Sequence, residues 1–364
     1  MSSVEASTLD EEVADTGVMT LSVGRDQMTV KPFVHRQAPA PIGPVDLRVR
    51  LAFVGICGTD AEILHGRLPD TFRINYPHSL GHEWSGVVEA VGEHVTGFRR
   101  GDRVLGHGHL GGNDWFGVTH DGAAAEVFTV PAAMCFHVPD VTSMLSAAVI
   151  EPFACVLQAL TTAGGVSAAD TVHVHGLGAI GLTTLMQCRH AGAQVIVFDP
   201  SPLRRQRALD LGAVGAIDPL VGEVPDLAAA VDGRPDADLV VEASGNAYAQ
   251  ANALEGAANL GRVILMGVSR PQAVPARLGL IQERGLVVRT SVGAPAAVWP
   301  AAIRHVRNSR IDLSAIVSEV FPLSRGVEAL AAAQDTTTHV KVMLAPDDPD
   351  PARAISAELE ESAP

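Results

Sequence analysis

His82 and Glu83 stand side by side in SLGHEWSG, residues 79–86, within an otherwise small and apolar run. Only 18% of the 364 residues are charged, so two such groups together call for a chemical reason. They could be metal donors, an acid/base pair, or a polar step where a strand begins. Cys57 lies upstream in GICGTD, and Glu151 follows downstream in VIEPFA. Thiolate, imidazole and carboxylate together form a mixed soft and borderline donor set that suits zinc in a four-coordinate site. Three protein donors with one exchangeable position would make such a site catalytic, whereas four thiolates would make it structural.

A second constellation lies at HGLGAIG, residues 175–181, which contains G-x-G-x-x-G. The pattern is weak alone, but here it follows an apolar strand and opens a helical stretch, the context that phosphate binding needs. Gly176 permits a tight turn, Gly178 lets the backbone approach a pyrophosphate, and Gly181 lets the helix pack on the sheet. Leu177, Ala179 and Ile180 complete the cradle, whose helix N-terminus presents amide N–H groups to an anion. The next strand ends VIVFD, placing Asp199 where a carboxylate can bind adenosine ribose hydroxyls. That charge disfavours a 2′-phosphate, so NAD is expected in preference to NADP. Arg204, with Arg205 beside it, is the neighbouring cation that could meet the nucleotide or simply be solvated.

Two kinds of element must position these groups. From residue 19 to about 160, short apolar runs are broken by glycine and proline: DLRVRLAFVGICG, EWSGVVEAVG, GDRVLGHG and AAEVFTVP. They read as short strands of a β-rich region. From Thr171 the period changes. TVHVHG, a helix over 182–191, AQVIVFD and a helix over 203–211 precede ADLVVEASG, GRVILMGVS and LVVRTSVG, which implies βαβ units and a parallel sheet. The segment from Trp299 reads as a helix, a linker, another helix and a closing strand.

Composition bounds the function. The net charge of −15 argues against nucleic acid or an anionic membrane as partner. Residues 1–18 and 346–364 together carry −10 of it and read as disordered acidic ends. No secretory signal and no membrane-spanning run is visible. The four cysteines, Cys57, Cys135, Cys155 and Cys188, form no C-x-x-C pair, which fits a reducing cytoplasm.

GICGTD, LGHEWSG, VEAVGEHVTGFRRGDRV, IEPFA, HGLGAIG and VFDPSPLRRQRALDLGA together resemble the zinc-dependent medium-chain alcohol dehydrogenase family, over about residues 19–345. The resemblance implies an α/β protein: a GroES-like β-rich catalytic domain (19–160), a Rossmann NAD-binding domain with a doubly wound parallel sheet (161–295), and a C-terminal return to the catalytic domain (296–345). It implies one catalytic zinc held by Cys57, His82 and Glu151, with Glu83 ligating or exchanging with water. Asp60 would orient the zinc histidine, and Thr59 would pass the substrate proton toward the cofactor ribose. A homodimer or homotetramer is expected.

Two departures from the family matter. Residues 105–122 contain none of the four cysteines that form a structural zinc lobe in many members, so no structural zinc is expected. His107, His109, Asp114 and His120 in that stretch could form a substitute site or face solvent and substrate. Glu62 stands where a relay histidine is usual; either its carboxylate relays the proton or water does so alone. The glutamate of IEPFA points to polyol, threonine and cyclitol branches. The expected reaction is oxidation of a secondary alcohol of a polyol, sugar or (amino)cyclitol to a ketone, or the reverse, on a hydroxyl-rich small molecule. Alternatives are a threonine- or butanediol-like dehydrogenase, a metal-free enone or quinone reductase, and a non-catalytic NAD-binding protein.

Overall fold

The computed structural model describes residues 17–26, 29–112, 114–222, 229, 233–268 and 272–348. The acidic ends fall outside these residues apart from positions 17–18 and 346–348, and Val18 already belongs to a strand. Contacts divide the chain into two compact units: Met1–Glu151, Glu319–Gln334 and Val342–Pro364 in the first, Pro152–Ser318 and Asp335–Lys341 in the second. Residues 296–318 thus cluster with the second unit, and the return to the first begins at Glu319 rather than 296.

The first unit is built on antiparallel strands: β1 (Val18–Asp26) pairs with β2 (Thr29–Gln37) and β4 (His78–Ser79), and β7 (His109–Gly111) pairs with β8 (Asp114–Trp115). β3 (Asp46–Gly55) pairs with β5 (Glu83–Val91), which pairs with β6 (Arg103–Gly106) and, through it, reaches β10 (Cys135–His137). β9 (Val127–Pro131) also pairs with β3, and β18 (Lys341–Ala345) and β17 (Val317–Pro322) complete the sheet. β17 occupies the linker read between the two C-terminal helices. The core lies on this sheet: Leu47, Val49 and Leu51 alternate along β3 and are fully buried, as period-two strands require. Trp84 is buried too, its ring set edge-on to Phe128, and Phe116 packs nearby. Both aromatics are core residues. Two short helices matter for the site: α1 (Gly58–Leu64) directly after β3, and α3 (Ile150–Thr162), preceded by α2 (Met144–Ala148).

The second unit is a six-stranded parallel sheet in the order β13-β12-β11-β14-β15-β16. Its strands are β11 (Thr171–His175), β12 (Gln194–Phe198), β13 (Gly215–Ile217), β14 (Ala237–Glu242), β15 (Ala257–Leu265) and β16 (Val287–Thr290). β11 and β12 carry fully buried Val, Ile and Phe, as a sheet covered on both faces demands. Two helices follow the first two strands, α4 (Ala179–His190) and α5 (Pro202–Asp210). α4 begins three residues before the start read from periodicity, because Gly178 serves as its N-cap and the glycine turn leads straight into it. α5 is capped by Ser201, whose hydroxyl accepts from the Arg204 amide, with Pro202 in its first turn. His173 and His175 are buried, each ring against Phe198.

Candidate metal centre and dinucleotide cradle

In the first unit, the register of β3 against β5 sets Gly55 opposite Glu83. Cys57, two residues past Gly55, is therefore delivered beside the His82–Glu83 step. The Ile56 amide donates to the Val342 carbonyl at 3.0 Å, holding the end of β3 just before the cysteine. Cys57 is also the N-cap of α1. His82 follows Gly81, whose φ of +99° favours glycine. Gly81 and Gly117 pack so closely that a Cβ on Gly117 would lie 2.8 Å from the His82 nitrogen.

The outcome is a convergence of donor atoms. One donor each from Cys57, His82 and Glu83 lies within 4.8 Å of the others, with His82 and Glu83 buried and Cys57 half-buried. Asp60 sits behind them, almost fully buried: one carboxylate oxygen accepts from the Cys57 amide at 2.7 Å, and the other lies 3.9 Å from His82 Nδ1. Glu151, in the first turn of α3, is not among the three grouped donors, but its charge acts on His82. Burial alone would lower the His82 pKa. The hydrogen bond and charge of Cys57, then the charges of Asp60 and Glu151, outweigh it and push the imidazole up to about 10. Carboxylates and a thiol gathered on one imidazole thus draw a proton in. A divalent cation would displace that proton and meet the same donors, so the residues fit zinc.

Thr59 lies beside the group, its Oγ1 3.8 Å from Cys57 Sγ. Glu62 does not stand free: Arg67 donates to both of its carboxylate oxygens, from Nε and Nη2, at 2.7 Å each. Sequence reading missed Arg67, although its five-residue offset from the acid was visible. Among the described residues no second group of three metal donors forms. His109–Gly111 pairs antiparallel with Asp114–Trp115, Asp114 is 3.5 Å from His120, and the His109 ring meets Trp115. His107 is buried near Phe136. Cys135, Cys155 and Cys188 are buried and in no disulfide, as core residues would be.

The second unit carries the cradle by itself. Gly176 has φ +90°, and a Cβ there would lie 2.6 Å from Ser244 Cβ. Gly178 has nothing within 4 Å of its Cβ position, leaving open space over the turn. A Cβ on Gly181 would strike the Gly176 carbonyl, so glycine is what lets α4 seat against the strand end. Leu177 is buried, while Gly178, Ala179 and Ile180 are partly exposed at the start of α4, where amide N–H groups lack intrahelical acceptors. The buried Asp199 carboxylate binds this turn directly, accepting from the Leu177 and Ser201 amides at 2.8 Å each. Arg204 turns away from the cradle, with Nε and Nη2 donating to the His339 carbonyl at 3.3 and 3.2 Å. Arg205 donates to the Asp199 and Pro200 carbonyls and pairs with Asp218 at 3.2 Å.

A β-rich unit holding a Cys-His-Glu group, joined to a doubly wound unit with a glycine phosphate turn, defines a metal-dependent nucleotide-linked dehydrogenase. Comparison with known proteins agrees. Residues 43–140 match the alcohol dehydrogenase GroES-like domain, and residues 179–308 match the zinc-binding dehydrogenase domain. The chain is 31% identical to sorbitol dehydrogenase of Gallus gallus over 341 residues, covering 87% of this chain and 93% of that protein. It is 28% identical to L-threonine 3-dehydrogenase of Alteromonas mediterranea over 306 residues, covering 79% and 89%. A zinc-binding dehydrogenase from Sinorhizobium meliloti 1021, solved with NADP, superposes with TM-score 0.82 at 27% identity, over 91% of this chain and all of that one. The chain belongs to the zinc-dependent medium-chain alcohol dehydrogenase family and is an enzyme of that class. No helix among the described residues is long and apolar enough to cross a membrane.

Proposed function

We propose that this protein is a zinc- and NAD-dependent dehydrogenase that interconverts a secondary alcohol of a polyol, sugar or aminocyclitol with its ketone. The observation that carries this reading is the convergence of Cys57, His82 and Glu83 donors within 4.8 Å, backed by Asp60. A metal-free reductase would have no use for that group. The sorbitol dehydrogenase likeness supports the hydroxyl-rich substrate, and the L-threonine dehydrogenase likeness keeps amino alcohols in the panel to be tested.

The unit carrying Cys57 acts as the catalytic domain, and the unit carrying Gly176–Gly181 as the dinucleotide domain. Cys57 and His82, with Glu83 or Glu151, hold the metal. Bound zinc would supply Lewis acidity toward the substrate oxygen, and the nicotinamide would supply the hydride chemistry. Asp60 fixes the site from behind, orienting the His82 ring while anchoring the Cys57 backbone. Thr59 Oγ1 accepts the substrate hydroxyl proton as it releases its own. Because Arg67 grips both oxygens of Glu62, the proton then leaves by water rather than through that carboxylate. Gly176–Gly181 and the α4 N-terminus hold the pyrophosphate. Asp199 meets the ribose hydroxyls and repels a 2′-phosphate, while Arg204 and Arg205 are spent on carbonyls and Asp218, which favours NAD over NADP.

β16 closes the parallel sheet as an open edge, with Val287 on it half exposed and Val292 just beyond it 83% exposed. An edge of this kind suits a homo-oligomer in which two such strands pair. Cysteines outside any disulfide, three of them buried, suit the reducing cytoplasm.

The test is NADH formation across polyols, sugars, aminocyclitols, threonine and simple alcohols, with metal analysis of the purified protein. Bound zinc, chelator-sensitive turnover and a preference for hydroxyl-rich substrates are expected. Activity that survives removal of all metal would overturn the reading. Cys57→Ala should abolish turnover yet leave NADH affinity unchanged.

A further inference from the structure

Three glycine turns meet at the carboxyl ends of β11, β14 and β15, and one buried acid joins them. Glu242, the last residue of β14, has no exposed surface. Its Oε1 accepts from the Ser244 amide at 2.7 Å, from the Ser244 hydroxyl, and from the Gly245 amide at 3.0 Å. Its backbone carbonyl accepts from the amides of Met266 and Gly267 at 2.8 and 3.1 Å. A single residue thereby holds the turn after its own strand with its side chain and the turn after β15 with its main chain.

The turns also touch each other closely. A Cβ on Gly176 would lie 2.6, 2.8 and 2.9 Å from the Cβ, N and Cα of Ser244. A Cβ on Gly267 would collide with the Gly245 backbone, and one on Gly245 with the Val268 carbonyl. The Ser244–Gly245 turn is thus wedged between the phosphate turn on one side and the β15 turn on the other. It lies where the strand order reverses, since β11 is followed by β12 on one side and β14 on the other. Doubly wound sheets bind their ligands outside the carboxyl ends of the strands at that reversal. A carboxylate buried so completely is costly unless donors satisfy it, and here they come from the turn, joined by the Gln250 side chain beyond it.

We propose that Glu242 is the positioning residue of the dinucleotide crevice: its carboxylate locks the Ser244–Gly245 turn against Gly176, so that the crevice is shaped before the cofactor arrives. This rests on the dinucleotide reading above. Glu242 contributes by preorganisation, which strengthens binding by removing the ordering cost from the binding step. It is shielded from solvent and acts through Ser244 and Gly176.

The experiment uses the full-length protein as wild type, Glu242→Gln, Glu242→Ala and Ser244→Gly. NADH affinity is read by fluorescence titration, alongside zinc content and the thermal midpoint without cofactor. Glu242→Gln keeps an acceptor oxygen and should stay near wild-type affinity. Glu242→Ala should weaken NADH binding by about ten-fold, equivalent to ~1.4 kcal/mol, with zinc content unchanged. Ser244→Gly keeps the acid but loosens the turn; it should weaken binding in the same direction, and it decides the matter if Glu242→Ala does not fold. Unchanged NADH affinity in Ser244→Gly, or in a folded Glu242→Ala, would overturn the proposal even if the thermal midpoint falls. Glu242→Gln as weak as Glu242→Ala would also overturn it. Wild-type protein that binds no NADH would instead sink the dinucleotide reading, and the proposal with it.

Discussion

Asp60 Oδ1 lies 3.9 Å from His82 Nδ1, while its other oxygen accepts the Cys57 amide at 2.7 Å. One buried carboxylate therefore reaches two residues of the Cys57–His82–Glu83 group, His82 at its ring and Cys57 at its backbone amide. Asp60→Asn keeps the shape but removes the charge that favours the imidazole orientation. Zinc affinity should fall about ten- to a hundred-fold, measured by competition with a chromophoric chelator. Unchanged affinity would mean that His82 is oriented by its backbone alone.

Glu83 and Glu151 are the two candidates for the carboxylate ligand of the proposed metal site. Glu83 is within 4.8 Å of the Cys57 and His82 donors, whereas Glu151 acts on His82 through its charge. Glu83→Gln should lose zinc more readily than Glu151→Gln on dialysis against a chelator. The reverse order would assign the resting ligand to Glu151.

The Glu62–Arg67 fork has a kinetic consequence. A carboxylate held at 2.7 Å by two guanidinium nitrogens is a poor proton acceptor. Glu62→Gln should leave the shape of the pH profile of kcat unaltered. A new or displaced limb in that profile would make Glu62 the relay after all.

Acid should destabilise the protein through His175. Burial, and then the neighbouring His173, push its pKa down from an ordinary 6.5 to about 3. The unfolded chain takes up that proton below about pH 6.5, whereas the folded one does not until about pH 3. The contribution is therefore full above the higher value and lost progressively as pH falls between the two. The loss amounts to about 2 kcal/mol by about pH 5. His175→Val should flatten the fall of the thermal midpoint with acidification in that window. An equal slope in the variant would place the acid sensitivity elsewhere.

Much of this was legible before any coordinates. Gly176, Gly178 and Gly181 were readable because lack of a Cβ is a property of the residue itself, and each proved to sit where a Cβ would clash or where open space is needed. Cys57, His82, Glu83 and Glu151 stood out as candidate donors because zinc chemistry admits few donor types, and the fold brings donor atoms of the first three within 4.8 Å. The parallel sheet followed from a change in period that no long-range contact is needed to see. The start of α4 was misplaced because glycine capping begins a helix before its apolar stripe does.

What tertiary structure decided are the pairings between groups that sequence leaves independent. Trp84 could have walled a pocket beside Glu83, yet strand alternation turned its ring into the core against Phe128. Arg204 could have met a nucleotide phosphate, yet it took the carbonyl of His339, far along the chain. Glu242 ends an apolar strand in the sequence, and only the fold closes three turns around it. Residue types and local periods determine which chemistry is possible. Sheet register and close packing decide which side chains meet, because those distances depend on every element between them.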